Sequence, residues 1–363
     1  MRRRSRHRVP LLAFAVLLLA ACGSDDAKVA ETNAETTAET SAETSAETSA
    51  PATTQASESS SFPASVEHAL GTTVIESEPQ RIVTVGVTEQ DTLLALGIKP
   101  IGVTEWYGEQ PFATWPWAQD ELGDAEPEVL TTADGFQYER IAALKPDLII
   151  GTNAGIDATS YALLTEIAPT IAHPKDAPQY FSRWDDQARL IAQAVGRTDE
   201  MDVILGDIED QFAAAATAHP EFAGKKVIFL QNAFYNGDAV AYQEGLSTAF
   251  LTDLGFAIPA ELDAFATEGQ AYIPIEQLSV LDNADVLLWG TEVPSDRDAL
   301  EEEPLYRGLE EVKAGHLVFT DGVTAGAIYF TSPLSLPFVL EHLVPALADT
   351  IATSEPSVID TAG

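Results

Sequence analysis

The chain has 363 residues, 57 of them acidic and 19 basic, for a formal net charge of −38. So large an acid excess offers no basic stripe to a nucleic-acid backbone and would be repelled by anionic lipid headgroups, which excludes nucleic acid as a partner. A single cysteine, Cys22, leaves no room for an internal disulfide or a thiolate metal cluster.

Residues 1–22 read as an export signal. Arg2, Arg3, Arg4, Arg6 and Arg8 precede an apolar run over residues 9–21. That run is about 13 residues, too short to cross a hydrocarbon core of roughly 30 Å. It ends in Leu19-Ala20-Ala21-Cys22-Gly23, which resembles the bacterial lipobox, whose cysteine is lipidated. An ordinary secretory signal with a chance cysteine is the plainer alternative. The expectation is a lipid on Cys22 that anchors the protein to the extracytoplasmic face of the cell membrane, more than one acyl chain being needed for stable attachment. Residues 23–61 repeat Ala, Glu, Thr and Ser with hardly a larger apolar side chain. They cannot offset the entropy of ordering and read as a disordered tether.

The body that follows carries one pattern twice. In residues 62–181, Arg81-Ile82-Val83-Thr84-Val85-Gly86 reads as a buried strand, and residues 91–96 as a helix stopped by Gly97. A second strand over 100–104, an amphipathic helix over 138–144 and the strand Leu148-Ile149-Ile150 complete the unit. Residues 220–352 answer in the same order. Lys226-Val227-Ile228-Phe229-Leu230 is the strand, and a helix over 249–254 is stopped by Gly255; an amphipathic helix opens at Ile275, and the last strand covers 285–289. Glu139-Arg140-Ile141-Ala142-Ala143-Leu144 aligns without a gap with Glu276-Gln277-Leu278-Ser279-Val280-Leu281, and one extra residue brings Asp147 opposite Asp285.

Residues 182–219 join the halves as helix, apolar at Leu190, Ile191, Ala194 and Val195, then at Ile204, Leu205, Ile208 and Phe212. Gly196 and Asp199 suggest a break and a new start. Residues 353–363 read as a flexible tail. The expected fold is α/β: two Rossmann-like βαβαβ lobes, one long helical connector, and a ligand cleft between the lobes. A stiff connector permits only a small rocking motion.

In open parallel sheets ligands bind at the carboxyl ends of the strands, and two facing lobes bring both sets of ends into one cleft. The residues that follow the strands make Trp106, Tyr107, Trp115, Trp117, Tyr235 and Tyr242 candidate ligand contacts, with Trp289 at a strand end, Tyr329 in a later loop and Trp184 at the start of the connector. Such rings suit a bulky ligand with polar atoms and apolar surface, although packing is the plainer role for each. Catalysis finds no Gly-x-Ser-x-Gly, Gly-x-Gly-x-x-Gly, phosphate-binding loop or His-Glu-x-x-His. None of His68, His173, His219, His316 and His342 has a second His or Cys at ligand spacing. The expectation is no catalytic residue, no resident metal and no cofactor.

From about residue 62 to 348 these segments resemble a known family. Pro79-Gln80-Arg81-Ile82-Val83-Thr84-Val85 looks like its opening strand, and residues 91–103 like its first helix and second strand. Its most specific signature is matched by Tyr138-Glu139-Arg140-Ile141-Ala142-Ala143-Leu144-Lys145-Pro146-Asp147-Leu148-Ile149. Pro304-Leu305-Tyr306-Arg307 and Val312-Lys313-Ala314-Gly315-His316-Leu317 are similar to its C-terminal portion. The family is the helical-backbone substrate-binding proteins of ABC importers for ferric siderophores, haem and cobalamin. Glu105-Trp106-Tyr107-Gly108 and Thr114-Trp115-Pro116-Trp117-Ala118-Gln119-Asp120 look like its actinobacterial iron-siderophore branch.

The resemblance implies a monomeric binding protein, not an enzyme, that passes a ferric siderophore to an ABC permease dimer. It implies that Glu139 and Glu276 dock onto permease arginines; favourable placement in a helix's first turn is the plainer role for both. Ligand contacts carry over less readily. Arg183 and Arg307 are the only basic residues placed near the cleft, and so sparse a basic lining favours a hydroxamate or mixed siderophore over a catecholate. Iron in a saturated chelate needs no protein ligand, while an incomplete chelate could take Tyr107 or Tyr242. Haem or cobalamin is the alternative ligand, and an exported enzyme on the same scaffold the distant alternative.

Overall fold

Short runs of Ile, Val and Leu form two separate main sheets in the computed structural model, which describes residues 61–105, 107–267 and 269–361. The expected signal with Cys22, the tether up to residue 60, and Trp106 lie outside the described residues. A hairpin comes first, β1 (Ala64–His68) with β2 (Gly71–Ile75). Ala64, Val66 and Ile75 on its inner face join the first core.

The first main sheet holds β3 (Ile82–Thr84), β4 (Gly102–Glu105), β5 (Glu128–Thr131), β6 (Leu148–Ile150) and β7 (Thr170–Ile171). Its order is β5-β4-β3-β6-β7, parallel throughout. β3 and β6 are buried at every residue, as strands covered on both faces must be. The second sheet holds β8 (Val227–Tyr235), β9 (Asp238–Tyr242), β10 (Ala266–Thr267), β11 (Gln270–Pro274), β12 (Val286–Gly290), β13 (Leu317–Phe319) and β14 (Ser357–Val358). Its order is β10-β11-β9-β8-β12-β13-β14.

The repeat is visible at the centre of each sheet and fades at the edges. β8 pairs in parallel with β12 as β3 pairs with β6. Asp147 accepts from the backbone N–H of Gln80 and Arg81 (2.8 Å each), and Asp285 accepts from Lys226 N (2.7 Å). The two aligned aspartates therefore perform one task, pinning the start of the neighbouring strand. Beyond β8 the expected parallel unit gives way to the antiparallel strands β9, β11 and β10. The segment after Gly255 contributes only a parallel bridge, Lys226 to Ala257.

Two further expectations are corrected, and a third is met. The helix opening at Ile275 is a 3₁₀ helix, Ile275–Asn283. Its buried residues Leu278 and Leu281, and Ala284 beyond it, recur every third position, which matches three residues per turn. The connector breaks where Gly196 and Asp199 suggested, into two helices, Trp184–Ala194 and Thr198–Ala218, parted at Gly196 (φ 69°). The first packs on β1 and on the helix Glu89–Ala95, within the first lobe. The second is buried in both cores: Met201 and Leu205 belong to the first-lobe core, Ile208 and Phe212 to the second, while the first helix touches both only at Trp184. The end read as a flexible tail instead supplies β14. Ile359 is buried in the second core, and Asp321 accepts from Thr361 N (2.6 Å).

Candidate functional site

The carboxyl ends of β3 and β6 are tied together by one buried side chain. Glu89, at the start of the helix Glu89–Ala95, turns back so that Oε2 accepts from Gly86 N (3.1 Å) and Oε1 from Asn153 N (2.9 Å). A Cβ on Gly86 would lie 2.4 Å from Glu89 Oε1 and 2.5 Å from Asn153 O, so only glycine admits this approach. Burial pushes the Glu89 carboxyl up to about 8, and the N–H bonds from Asn153 and Gly86 pull against that rise. Asn153 continues the tie outward, its Oδ1 accepting from Phe181 N (2.9 Å).

A second buried carboxylate joins the lobes. Asp91 Oδ2 accepts from Trp117 Nε1 (2.7 Å) and from Ser332 Oγ (2.7 Å), the latter between two second-lobe helices, Gly322–Tyr329 and Ser335–Thr353. Burial raises Asp91 to about 6, against those two hydrogen bonds. Aromatic rings pave the same seam. Trp115 stacks between Tyr107 (5.4 Å) and Trp117 (5.0 Å), and Tyr107 meets Phe330 at 6.3 Å. Phe330 in turn touches Phe181 at 6.1 Å and Tyr329 at 6.4 Å. Trp115 reaches the second lobe at Gly326, where a Cβ would stand 2.7 Å from its ring.

Between the lobes lies a cavity of about 460 Å³, within the usual range of small-molecule sites, about 300–1,000 Å³. Thr88 and Asn153 line it from the first-lobe strand ends, Leu205, Ile208 and Phe212 from the connector, and Phe250 and Tyr329 from the second lobe. Its charged lining is Arg183, Asp185, Glu209 and Asp253, an acid excess. Arg183 is already paired with Asp185 at 3.0 Å. Burial raises the Asp253 carboxyl, with the Arg183 charge lowering it and Glu209 raising it further.

The strand ends of the second lobe bring another group together. Glu292 follows β12, and Asn232, within β8, donates from its amide nitrogen to Glu292 Oε1 (2.8 Å) and to Gly290 O (3.1 Å). The Tyr107 phenol, from the first lobe, also hydrogen-bonds Glu292. Tyr329 Oη donates to Gly290 O (2.7 Å), and Tyr242 Oη to Gln231 Oε1 (3.1 Å). Burial, with the Glu292 charge nearby, raises all three phenols, Tyr242 to about 12.

The sequence-predicted residues thus divide. Trp184 and Tyr329 line the cavity. Tyr107 and Tyr242 gather with Tyr329 around Glu292. Trp115 and Trp117 are used in lobe-to-lobe packing, and Trp117 also borders an open groove with Phe338 on the connector side. Tyr235, on the β8–β9 hairpin, is 55% exposed. Trp289 departs from expectation: it is fully buried in the second core, packed edge-on to Tyr306. Odd and even residues of a strand face opposite ways, but β12 is covered on both sides, so its terminal ring is enclosed either way. Arg307 also departs; it sits after the helix Pro294–Glu302, which returns from the carboxyl end of β12, and donates to Glu301 O at the far end of the lobe. Glu89, Asp91, Asn153, Phe181, Asn232, Glu292 and Phe330 were not singled out as contacts. The rule of strand ends reaches Asn153, Asn232 and Glu292; nothing local marks Asp91, whose partner Ser332 is 241 residues away.

Glu139 and Glu276 are exposed in the first turns of their helices. Each helix follows the carboxyl end of an edgeward strand. Thr131 at the end of β5 donates to Gln137 Oε1 (3.2 Å), and Ile275 beyond β11 donates to Gly237 O (3.2 Å) at the β8–β9 tip. Both glutamates therefore stand on the side of the sheets where the strand ends converge.

Residues 82–324 match the periplasmic binding protein family. The chain belongs to that family. The family resemblance carried by the sequence segments is borne out, as is the two-sheet α/β fold. This periplasmic binding protein is 29% identical over 296 residues to the probable siderophore-binding lipoprotein of Bacillus subtilis, covering 74% of this chain and 85% of that one. Among solved structures it is similar to a periplasmic solute binding protein from Mycobacterium smegmatis, with 45% identity and a TM-score of 0.75, covering 79% of this chain and 98% of that one. An iron uptake ABC transporter substrate-binding protein from Streptococcus pneumoniae is 26% identical with a TM-score of 0.64, over 79% of this chain and 99% of that one.

Proposed function

We propose that this protein captures a ferric siderophore of the hydroxamate or mixed type between its lobes and delivers it to an ABC importer. The observation that carries the reading is the cavity of about 460 Å³ between the two sheets, walled by aromatic and aliphatic side chains and charged chiefly by acids. A highly anionic catecholate would meet Asp185, Glu209 and Asp253 with only Arg183 to receive it. Raised phenols at Tyr107, Tyr242 and Tyr329 oppose tyrosinate ligation, which favours a chelate whose iron arrives with its oxygen ligands complete. The names of the Bacillus and Streptococcus relatives support the iron assignment. Binding and transfer need no chemical step, so no catalytic role is assigned. The chain works at the extracytoplasmic face, held by lipid on Cys22, with Glu139 and Glu276 meeting the permease dimer.

Tryptophan fluorescence tests the capture step, since Trp115, Trp117 and Trp184 border the seam. Titration with a ferric trihydroxamate should quench at sub-micromolar concentration, and a ferric tricatecholate should bind at least tenfold more weakly. Tight tricatecholate binding without trihydroxamate binding would overturn the ligand class. A Soret shift with haem, and no response to either chelate, would overturn the iron-siderophore reading altogether.

A further inference from the structure

Glu292 is a carboxylate set among rings. The Tyr107 phenol hydrogen-bonds it, and Asn232 spans it and Gly290 O, to which Tyr329 Oη also donates (2.7 Å). Tyr242 stands 6.3 Å from Tyr329, and Trp115 backs Tyr107 at 5.4 Å. The backbone around it is fixed, because Asp296 Oδ2 accepts from both Glu292 N (2.9 Å) and Val293 N (3.0 Å). Asp296 also adds a second negative charge nearby.

Among the described residues, no cation is paired with either charge. Arg297, the next basic residue along the chain, is occupied elsewhere: its Nε pairs with Glu301 at 2.8 Å and its guanidinium lies over Phe319 at 5.1 Å. The partners Glu292 does have, Tyr107 and Asn232, are neutral donors. They orient a carboxylate without neutralising it. A negative charge held by neutral donors at the seam of the two lobes attracts an ammonium group by Coulomb attraction and by a charge-assisted hydrogen bond.

We propose that Glu292, with Tyr107, Tyr242 and Tyr329, forms a subsite for a protonated amine on the chelate, so that the preferred ligand is a ferric trihydroxamate with a free amine arm. The inference rests on the capture reading above and deepens it. A plain lobe-to-lobe latch between Tyr107 and Glu292 is the competing account, and the two make different predictions.

The test uses the full chain and two ferric linear trihydroxamates, one ending in a primary amine and one with that amine acetylated. The wild-type protein should bind the amine form at least tenfold more tightly, about 1.4 kcal/mol. Glu292→Gln keeps an acceptor for Tyr107 but removes the charge. It should lose about tenfold for the amine form and leave the acetylated form unchanged. Equal wild-type affinity for both forms, or an equal loss of both in Glu292→Gln, would overturn the subsite while leaving siderophore capture intact. Failure of the wild-type protein to bind either chelate would refute capture itself.

Discussion

At Glu89, burial and hydrogen bonding act in opposite directions on one carboxyl. Burial is the larger, and the folded value stands near 8 against 4.5 for the free side chain. Between those values the folded chain keeps a proton that the unfolded chain has released. The contribution is therefore fully present below pH 4.5 and is lost as pH rises through about 8. Asp91 acts with the same sign over a lower window, from 3.8 to about 6, so pH 6.5 to 8.5 isolates Glu89. Glu89→Gln removes the titration and turns an amide nitrogen toward one of two N–H donors, at a loss of about 1–3 kcal/mol. In urea unfolding the variant should be clearly weaker than the wild type at pH 6.5, with the gap narrowing by pH 8.5. A gap that stays constant across that range would mean that Glu89 is ionised throughout.

At the scale of elements, the duplication gives a comparison within one molecule. Asp147 holds two backbone donors at the start of β3, and Asp285 holds one at the start of β8. With about 0.5–1.5 kcal/mol per exchanged hydrogen bond, Asp147→Ala should lose about 1–3 kcal/mol and Asp285→Ala about half as much. Urea midpoints check this, and equal losses would show that the second bond at Asp147 contributes nothing. Sequence made the centres of both sheets legible because buried parallel strands are continuous apolar runs, as in Leu148-Ile149-Ile150. The antiparallel edge of the second sheet was not legible. Gln270–Pro274 carries only two buried residues and mixes them with Gln and Pro, too short an alternation to stand out. At the seam, strand-end position pointed to Tyr107 and Tyr242, but it could not separate an enclosed ring such as Trp289 from an accessible one, and Tyr329, expected in a loop, ends the helix Gly322–Tyr329. Local pattern reports which residues are apolar; the packing of both faces decides which are covered.

For the whole molecule, the proposed delivery raises the question of how two joined lobes would present themselves to a permease dimer. The helix Thr198–Ala218 anchors in both cores, and Asp91 and Trp115 join the lobes again on the seam. Large closure would break the Asp91–Ser332 bond and separate Trp115 from Gly326, so the spacing between lobes is held nearly constant. A constant spacing lets two separated charges set orientation, because both must meet their counterparts at once. Glu139 and Glu276 meet that condition: each is exposed, each sits in a first turn, and both face the side of the converging strand ends. Neither lies among the cavity residues. Replacing both with alanine should therefore leave the dissociation constant for the ferric chelate unchanged within about twofold and reduce cellular iron-chelate uptake at least tenfold. Each single replacement should give a partial loss, since one charge still docks but no longer fixes the register. Uptake that survives the double replacement, measured with radiolabelled iron in cells whose native copy is deleted, would place the permease contact elsewhere. A matching fall in chelate affinity would instead place the two carboxylates in the binding machinery.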